Sequence, residues 1–320
     1  MLQPAPIRRF FCHAFYSFVT IYINICTVID SPFTLVYHAD MDITTDIQKP
    51  IHRSELRRVT GRLAYRWARH IHWITHRRTY ARTRSVEPLP YLCVEHATPL
   101  IRNIRSYDLW LQQNKIVNLG LAVGRINGIV LKPGEVFSFW RLVGSPTARK
   151  GYLPGMVLRE GEVVPGVGGG LCQLSNLIYW MSLHTPLTVV ERYRHSYDVF
   201  PDADRTQPFG SGATVVYNYR DLCIQNTTDY PWQLMLWLTD HDLMGEWRAA
   251  VSQDALYQVY EADHWFSRTW WGANTRHNRI ARRIYGPDGT LCRDELVVEN
   301  HAVMLYDPCL EAGIDRKRAE

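Results

Sequence analysis

Hydrophobic spacing divides this chain into a helical N-terminal part and a strand-rich remainder. From Leu56, the apolar residues Val59, Leu63, Trp67, Ile71 and Ile74 recur every three or four positions, the repeat of one helix face, with arginines on the other faces. The simplest reading packs this helix on the body by its apolar stripe and leaves the arginines in water. The alternatives lay it on an anionic membrane surface or around an acidic ligand. Pro88 and Pro90 separate it from a short strand at Tyr91–Val94. Ile116, Leu119, Val123 and Ile126 then mark a second amphipathic helix, from about Ser106 to Ile126, stopped by Asn127-Gly128.

Beyond it the period shortens. Lys132-Pro133-Gly134 turns the chain into an apolar run, Val136–Trp140, and Met156–Leu158 with Val163-Val164 read as a hairpin across Glu160-Gly161. Leu174, Leu177, Ile178 and Met181 give another helix, ending near His184. Strands are expected at Leu187–Arg192, Ala213–Tyr219, Leu222–Gln225 and Trp232–Leu238, and a hairpin around Pro287-Asp288-Gly289. A few helices among many strands that can pair through hairpins predict an α+β fold: a mixed or antiparallel sheet with a few packed helices in a single main domain. The expected divisions are an apolar segment over 1–40, a basic helical region over 41–87, the main domain over 88–300 and a tail over 301–320.

Charge sharpens this division. Of the net +5, residues 51–86 alone hold +9, ten arginines against Glu55, so the rest of the chain carries −4. Trp67 and Trp73 lie among these arginines, but no nucleic-acid-binding motif accompanies them, and no nucleic acid partner is expected. Phe10–Ile29 contains no Asp, Glu, Lys or Arg and follows Arg8-Arg9, the pattern of a membrane anchor. Its Tyr and Thr content and the absence of a cleavage signal make Met41 an alternative start. The chain is then cytoplasmic if translation begins at Met41 and membrane-anchored otherwise, with membrane contact through residues 10–29 or the basic helix 53–84.

Candidate chemistry centres on Gly168-Gly169-Gly170-Leu171-Cys172-Gln173-Leu174-Ser175. Three glycines place Cys172 at a helix start, where free N–H groups and the helix dipole favour a thiolate. His195, 23 residues on, is a candidate base, and Asp198 or Asp221 a candidate to orient it. Gln173 or nearby backbone N–H groups would serve an oxyanion. On a second reading Gly168, Gly169, Gly170 and Ser175 cradle an anionic ligand and Cys172 is packing; on a third the chain only scaffolds other proteins. Spacing alone leaves these open, although close packing of a small Cys beside glycines is common. No phosphate-loop or dinucleotide pattern follows the glycines. Seven irregularly spaced cysteines indicate neither a disulfide framework nor a zinc site. His72 and His76 have the spacing of a helical metal pair, but no third ligand is apparent, so no metal or cofactor is expected.

These segments resemble the VanW family. The likeness runs through Leu89–Leu92, Asn114-Lys115, Asn118-Leu119, Leu131–Val143, Gly168–Leu177, His184–Thr188, His195, Ala213–Val215, Asp221-Leu222 and Asn226. It implies a place in glycopeptide (vancomycin) resistance or bacterial cell-envelope metabolism, with a cell-wall peptide or precursor as the expected partner. It does not imply a reaction. One departure stands out: the family usually carries an Asp before the Ala-Thr-Val stretch, and here that position is Gly212.

Overall fold

A computed structural model describes residues 54–101, 109–159, 161–195, 197–199 and 207–306. The apolar segment 10–29, Met41 and most of the expected tail lie outside the described residues. In chain order come helix α1 (Glu55–Thr75), strand β1 (Tyr91–Pro99), helix α2 (Leu109–Ile126), strands β2 (Ile129–Leu131) and β3 (Val136–Ser138), and the short helix α3 (Phe139–Val143). The hairpin β4 (Pro154–Arg159) and β5 (Glu162–Val167) leads to helix α4 (Cys172–Leu183), then strands β6 (Thr188–Glu191), β7 (Tyr197–Asp198) and β8 (Cys223–Gln225). The C-terminal strands are β9 (Trp232–Leu238), β10 (Asp242–Ala249), β11 (Leu256–Arg268), β12 (Asn274–Tyr285) and β13 (Leu291–Met304). Helices mixed with mainly antiparallel strands make this an α+β fold, richer in strand than in helix.

The central sheet has the order β1-β10-β9-β2 and is antiparallel throughout. Strand β10 alternates: Leu243, Gly245, Trp247 and Ala249 face inward, the period-two pattern of a strand with one buried face. Helix α4 lies against this face, and Trp247 Nε1 donates to Ser182 Oγ at 3.1 Å. Gly245 permits the approach, since a Cβ there would come within 2.7 Å of Met181 Cε. A smaller sheet, β3-β8-β6, backs the site region, and β11, β12 and β13 form a long meander whose last strand pairs in parallel with β7. The expected turn at Pro287-Asp288-Gly289 joins β12 to β13, with Gly289 at φ +79°.

Two expectations are overturned. No strand forms over Ala213–Tyr219. The backbone of this segment is paired piecemeal instead: Ser175 Oγ donates to Ala213 O (2.7 Å) and Ala213 N to Asn176 Oδ1 (2.7 Å), while Thr214 N donates to Tyr193 O (2.7 Å) and Val216 N closes a tight turn on Arg220 O (2.9 Å). The second correction concerns α1, which does not pack by its apolar stripe. Leu56, Val59, Leu63, Trp67, Ile71 and Ile74 are all exposed, Trp67 at 68% and Ile74 at 70%. The basic side faces the body, where Arg66 lies over the Tyr217 ring at 5.1 Å. Trp73, at the end of α1, joins Tyr80 and Ala81 in the same buried core as the central sheet.

Candidate functional site

The three glycines serve chain packing. Gly168 N donates to Leu153 O (3.0 Å), Gly169 N to Gly166 O (2.9 Å) and Gly170 N to Met156 O (2.9 Å). Their N–H groups are therefore used within the β4–β5 hairpin and its flanks, not pointed at an open cradle. Gly169 lies so close to β4 that a Cβ would sit 2.2 Å from Gly155 C, and one on Gly170, at φ +91°, would sit 2.2 Å from Lys115 Cγ. Asn118, fully buried on α2, closes the junction: its Nδ2 donates to Leu153 O (3.0 Å) and Gly169 O (2.9 Å), and its Oδ1 accepts from Leu153 N (2.8 Å).

Cys172 opens α4 as expected, but its surroundings favour the thiol over the thiolate. Burial pushes its pKa up, and Sγ donates to Val215 O at 3.7 Å. The N–H groups of Gln173, Leu174 and Ser175 already bond to Gly170 O and Leu171 O, which leaves little of the helix start to stabilise a charge. Ser175 Oγ bridges Cys172 O and Ala213 O. Gln173 Nε2 donates to Thr98 Oγ1 (3.0 Å) and Pro99 O (2.9 Å), tying α4 to the end of β1.

His195 lies between β6 and β7, and no hydrogen bond links it to Cys172. Burial, with Arg220 and Arg194 nearby, lowers its pKa to about 4, so at neutral pH both members of the expected pair are uncharged. Neither candidate acid bonds to it. Asp198 accepts from Tyr306 Oη (2.7 Å) and Arg276 (3.4 Å). Gly212, at the family's usual Asp position, offers its carbonyl to Arg192 Nε at 2.9 Å, and a Cβ there would come within 2.7 Å of Asn176 Oδ1.

Asp221 belongs to a buried charged cluster that sequence reasoning missed. Its Oδ2 accepts from Ser138 Oγ (2.6 Å), and its Oδ1 from the N–H groups of Trp140 and Leu222 (both 2.9 Å). Asp221 N in turn donates to Glu191 Oε1 at 3.3 Å, and the single S–H of Cys223 lies within donating distance of both carboxylates, 3.6 Å from Glu191 Oε2 and 3.7 Å from Asp221 Oδ2. Arg69 of α1 grips Glu191 with both guanidinium nitrogens, one at 2.6 Å to Oε2 and the other to Oε1. Burial opposes the Arg69 charge, yet Glu191 and Asp221 outweigh it and raise its pKa. Burial raises Asp221 to about 6, with Arg69 holding it back from a larger shift. The available signal was Glu191, an acid inside an otherwise apolar strand, in a chain with an acid-poor arginine segment.

His72 and His76 stack with ring centroids 4.4 Å apart, and His72 Nδ1 meets Tyr80 Oη at 3.0 Å. No group of three or more His, Cys, Asp or Glu placed to hold a metal occurs among the described residues. None of the described helices is long and apolar enough to cross a membrane.

The site thus defines an α+β protein in which a Gly-Gly-Gly-Leu-Cys-Gln junction locks a hairpin to two helices, beside a buried arginine–carboxylate cluster. Residues 114–248 match the family described as VanW like protein, and the chain belongs to the VanW family. Vancomycin B-type resistance protein VanW of Enterococcus faecalis is 38% identical over 180 residues, 56% of this chain and 66% of that protein. Uncharacterized protein YoaR of Bacillus subtilis is 35% identical over 114 residues, 36% of each. The chain therefore spans just under two thirds of the first relative and about a third of the second. No solved structure matches.

Proposed function

We propose that this chain acts by binding, as a non-catalytic accessory module in glycopeptide resistance or cell-envelope metabolism, and that Cys172 is part of its packing. The observation that carries this reading is the state of the thiol: raised in pKa by burial, hydrogen-bonded to Val215 O and without a bond to His195. A thiol nucleophile needs the opposite, a depressed pKa or an adjacent base. The name of the enterococcal relative supports the resistance setting, and a cell-wall precursor is the partner that setting suggests. Because the glycine N–H groups are used internally, recognition of an anionic precursor falls to side chains, and the arginine surplus is the natural source of attraction.

The test is the pH dependence of iodoacetamide alkylation at Cys172 in the full chain and in His195→Ala, read by peptide mass mapping against exposed Cys292. The binding reading expects slow alkylation with an apparent pKa above that of Cys292, unchanged by His195→Ala. Rapid alkylation with an apparent pKa well below about 8.5, the free-thiol value, lost in His195→Ala, would establish the thiol-enzyme reading instead.

A further inference from the structure

Helix α1 is mounted with its polar side inward. At about 100° per residue, the exposed Leu56, Val59, Leu63, Trp67, Ile71 and Ile74 fall within an arc of roughly 120°, while Tyr65, half-way round the helix, meets the Tyr219 ring at 5.4 Å, and Arg57, Arg62, Arg66 and Arg69 also lie outside that arc. Two of these arginines hold the helix in this orientation, Arg69 through Glu191 and Arg66 over Tyr217. The apolar stripe is thus presented to the outside by a buried ion pair.

Beside the C-terminal half of this stripe is an open cavity of about 470 Å³, whose walls include His70, Trp73, Arg82, Arg84 and Arg141 and no acidic residue. Arg141 stands over the Tyr80 ring at 4.9 Å and donates to Trp73 O at 3.2 Å. Burial and the neighbouring Arg82 both work against its charge, the situation an anion would relieve. Trp73 is 7% exposed, and its Nε1–H is buried without a hydrogen-bond partner. Three guanidiniums, an imidazole and an unused indole N–H suit a phosphate-like oxyanion. Arg57, Arg62, Arg77 and Arg78 add exposed positive charge around the stripe, and none of the four is ion-paired with a described carboxylate.

The two features adjoin, since His70 lies in the arc of the stripe and also lines the cavity. A ligand that satisfies both carries a phosphate next to hydrocarbon. A second copy of the chain packed stripe to stripe would set one arginine group against another, so charge disfavours that occupant. We propose that α1 is an interfacial docking helix: its apolar stripe lies in the headgroup region of an anionic phospholipid membrane, and the arginine cavity holds a lipid phosphate. Exposed Trp67 suits the membrane–water boundary, and the arginines supply attraction to anionic lipid. The helix lies along the surface and does not cross it. This inference stands whether or not Cys172 has a chemical role.

The experiment is sedimentation of the full chain with vesicles of phosphatidylcholine, with and without phosphatidylglycerol, at low and high salt. It compares wild type with Trp67→Ser/Ile71→Ser, with Arg82→Gln/Arg84→Gln, and with Arg149→Gln as an exposed control. Wild type is expected to bind only the anionic vesicles and to be released by salt. Each removed cavity arginine should weaken binding about fivefold, the stripe variant should lose binding, and Arg149→Gln should match wild type. The substituted side chains are exposed, and unchanged circular dichroism confirms folding of each variant. Absence of binding to anionic vesicles would overturn the proposal. So would binding undiminished in the stripe variant, which would place the contact elsewhere in the chain. Cavity-dependent binding of inorganic phosphate without vesicle binding would make this a soluble-phosphate site. A wild-type dimer converted to monomer by the stripe variant, with vesicle binding unaffected, would assign the stripe to a second copy.

Discussion

Arg69→Met is the sharpest probe of how α1 is held, because it keeps most of the side-chain stem and removes the guanidinium that faces Glu191. Arg69 and Glu191 side chains are only 17% and 12% exposed, and Asp221, 1% exposed, shares their field. Removing one partner of a buried pair leaves the other uncompensated, at a cost of about 3–5 kcal/mol. The residual exposure of both side chains places the loss near the lower end, about 3 kcal/mol, which corresponds to a Tm decrease of roughly 6–12 °C for a fold of this size. Urea unfolding followed by tryptophan fluorescence measures it. The pH dependence adds a second constraint. Asp221 titrates at about 6 in the folded chain against 3.8 as its ordinary value. Its stabilising contribution is therefore complete below pH 3.8 and is lost as pH rises through about 6. Removing Arg69 deletes the attraction that restrains this shift, so the loss extends to higher pH, and the variant should be more destabilised at pH 8 than at pH 5. A change within about 0.5 kcal/mol at both pH values, the range of ordinary surface substitutions, would refute the assignment of Arg69 as the anchor of α1.

Four further outcomes follow from the packing and the buried charges. Gly169→Ala should destabilise by more than about 3 kcal/mol or abolish folding, because its Cβ would meet the backbone of Gly155 at 2.2 Å and Met156 N at 2.7 Å. In the same denaturation assay Gly61→Ala, in open space on α1, should gain up to about 1 kcal/mol. Asn118→Ala should cost about 2–4 kcal/mol by removing the three hydrogen bonds of a fully buried side chain, and hydrogen exchange should show faster opening at the Leu153 amide. Asp221→Asn should flatten the stability change between about pH 4 and 6 seen in wild type; a step that survives unchanged would assign it to another group.

The local elements were largely legible. The helical repeats, the Met156/Val163 hairpin, Trp232–Leu238 and the Pro287-Asp288-Gly289 turn all follow from period and turn chemistry. The alternation that marks β10 is equally present in Leu243, Gly245, Trp247 and Ala249, although a glycine inside a strand weakens the signal. Ala213–Tyr219 was misread as a strand for a different reason. Its β-branched and aromatic residues fit a sheet, but Ala213 is held by Ser175 and Asn176, side chains on a helix almost forty positions away, and Val216 to Arg220 closes into a tight turn.

At the candidate site, Cys172 could be placed at a helix start from the glycines and the apolar repeat alone. Whether its thiol is activated depends on burial and on which atoms reach it, and those come from Val215 and from the hydrogen bonds of α4. The glycines were likewise recognisable as a close approach, while the identity of what approaches, the Gly155–Met156 backbone, required the fold.

The amino-acid sequence by itself determined that residues 55–75 form an amphipathic helix, because hydrophobic period is a local property of consecutive residues. It also determined the family, because order and spacing over the central segment are carried in the chain. Only the tertiary structure decided which face of that helix turns inward. Its inward contacts, Arg69 to Glu191, Arg66 to Tyr217 and Trp73 in the core, are made with residues distant in sequence, and no local periodicity encodes them.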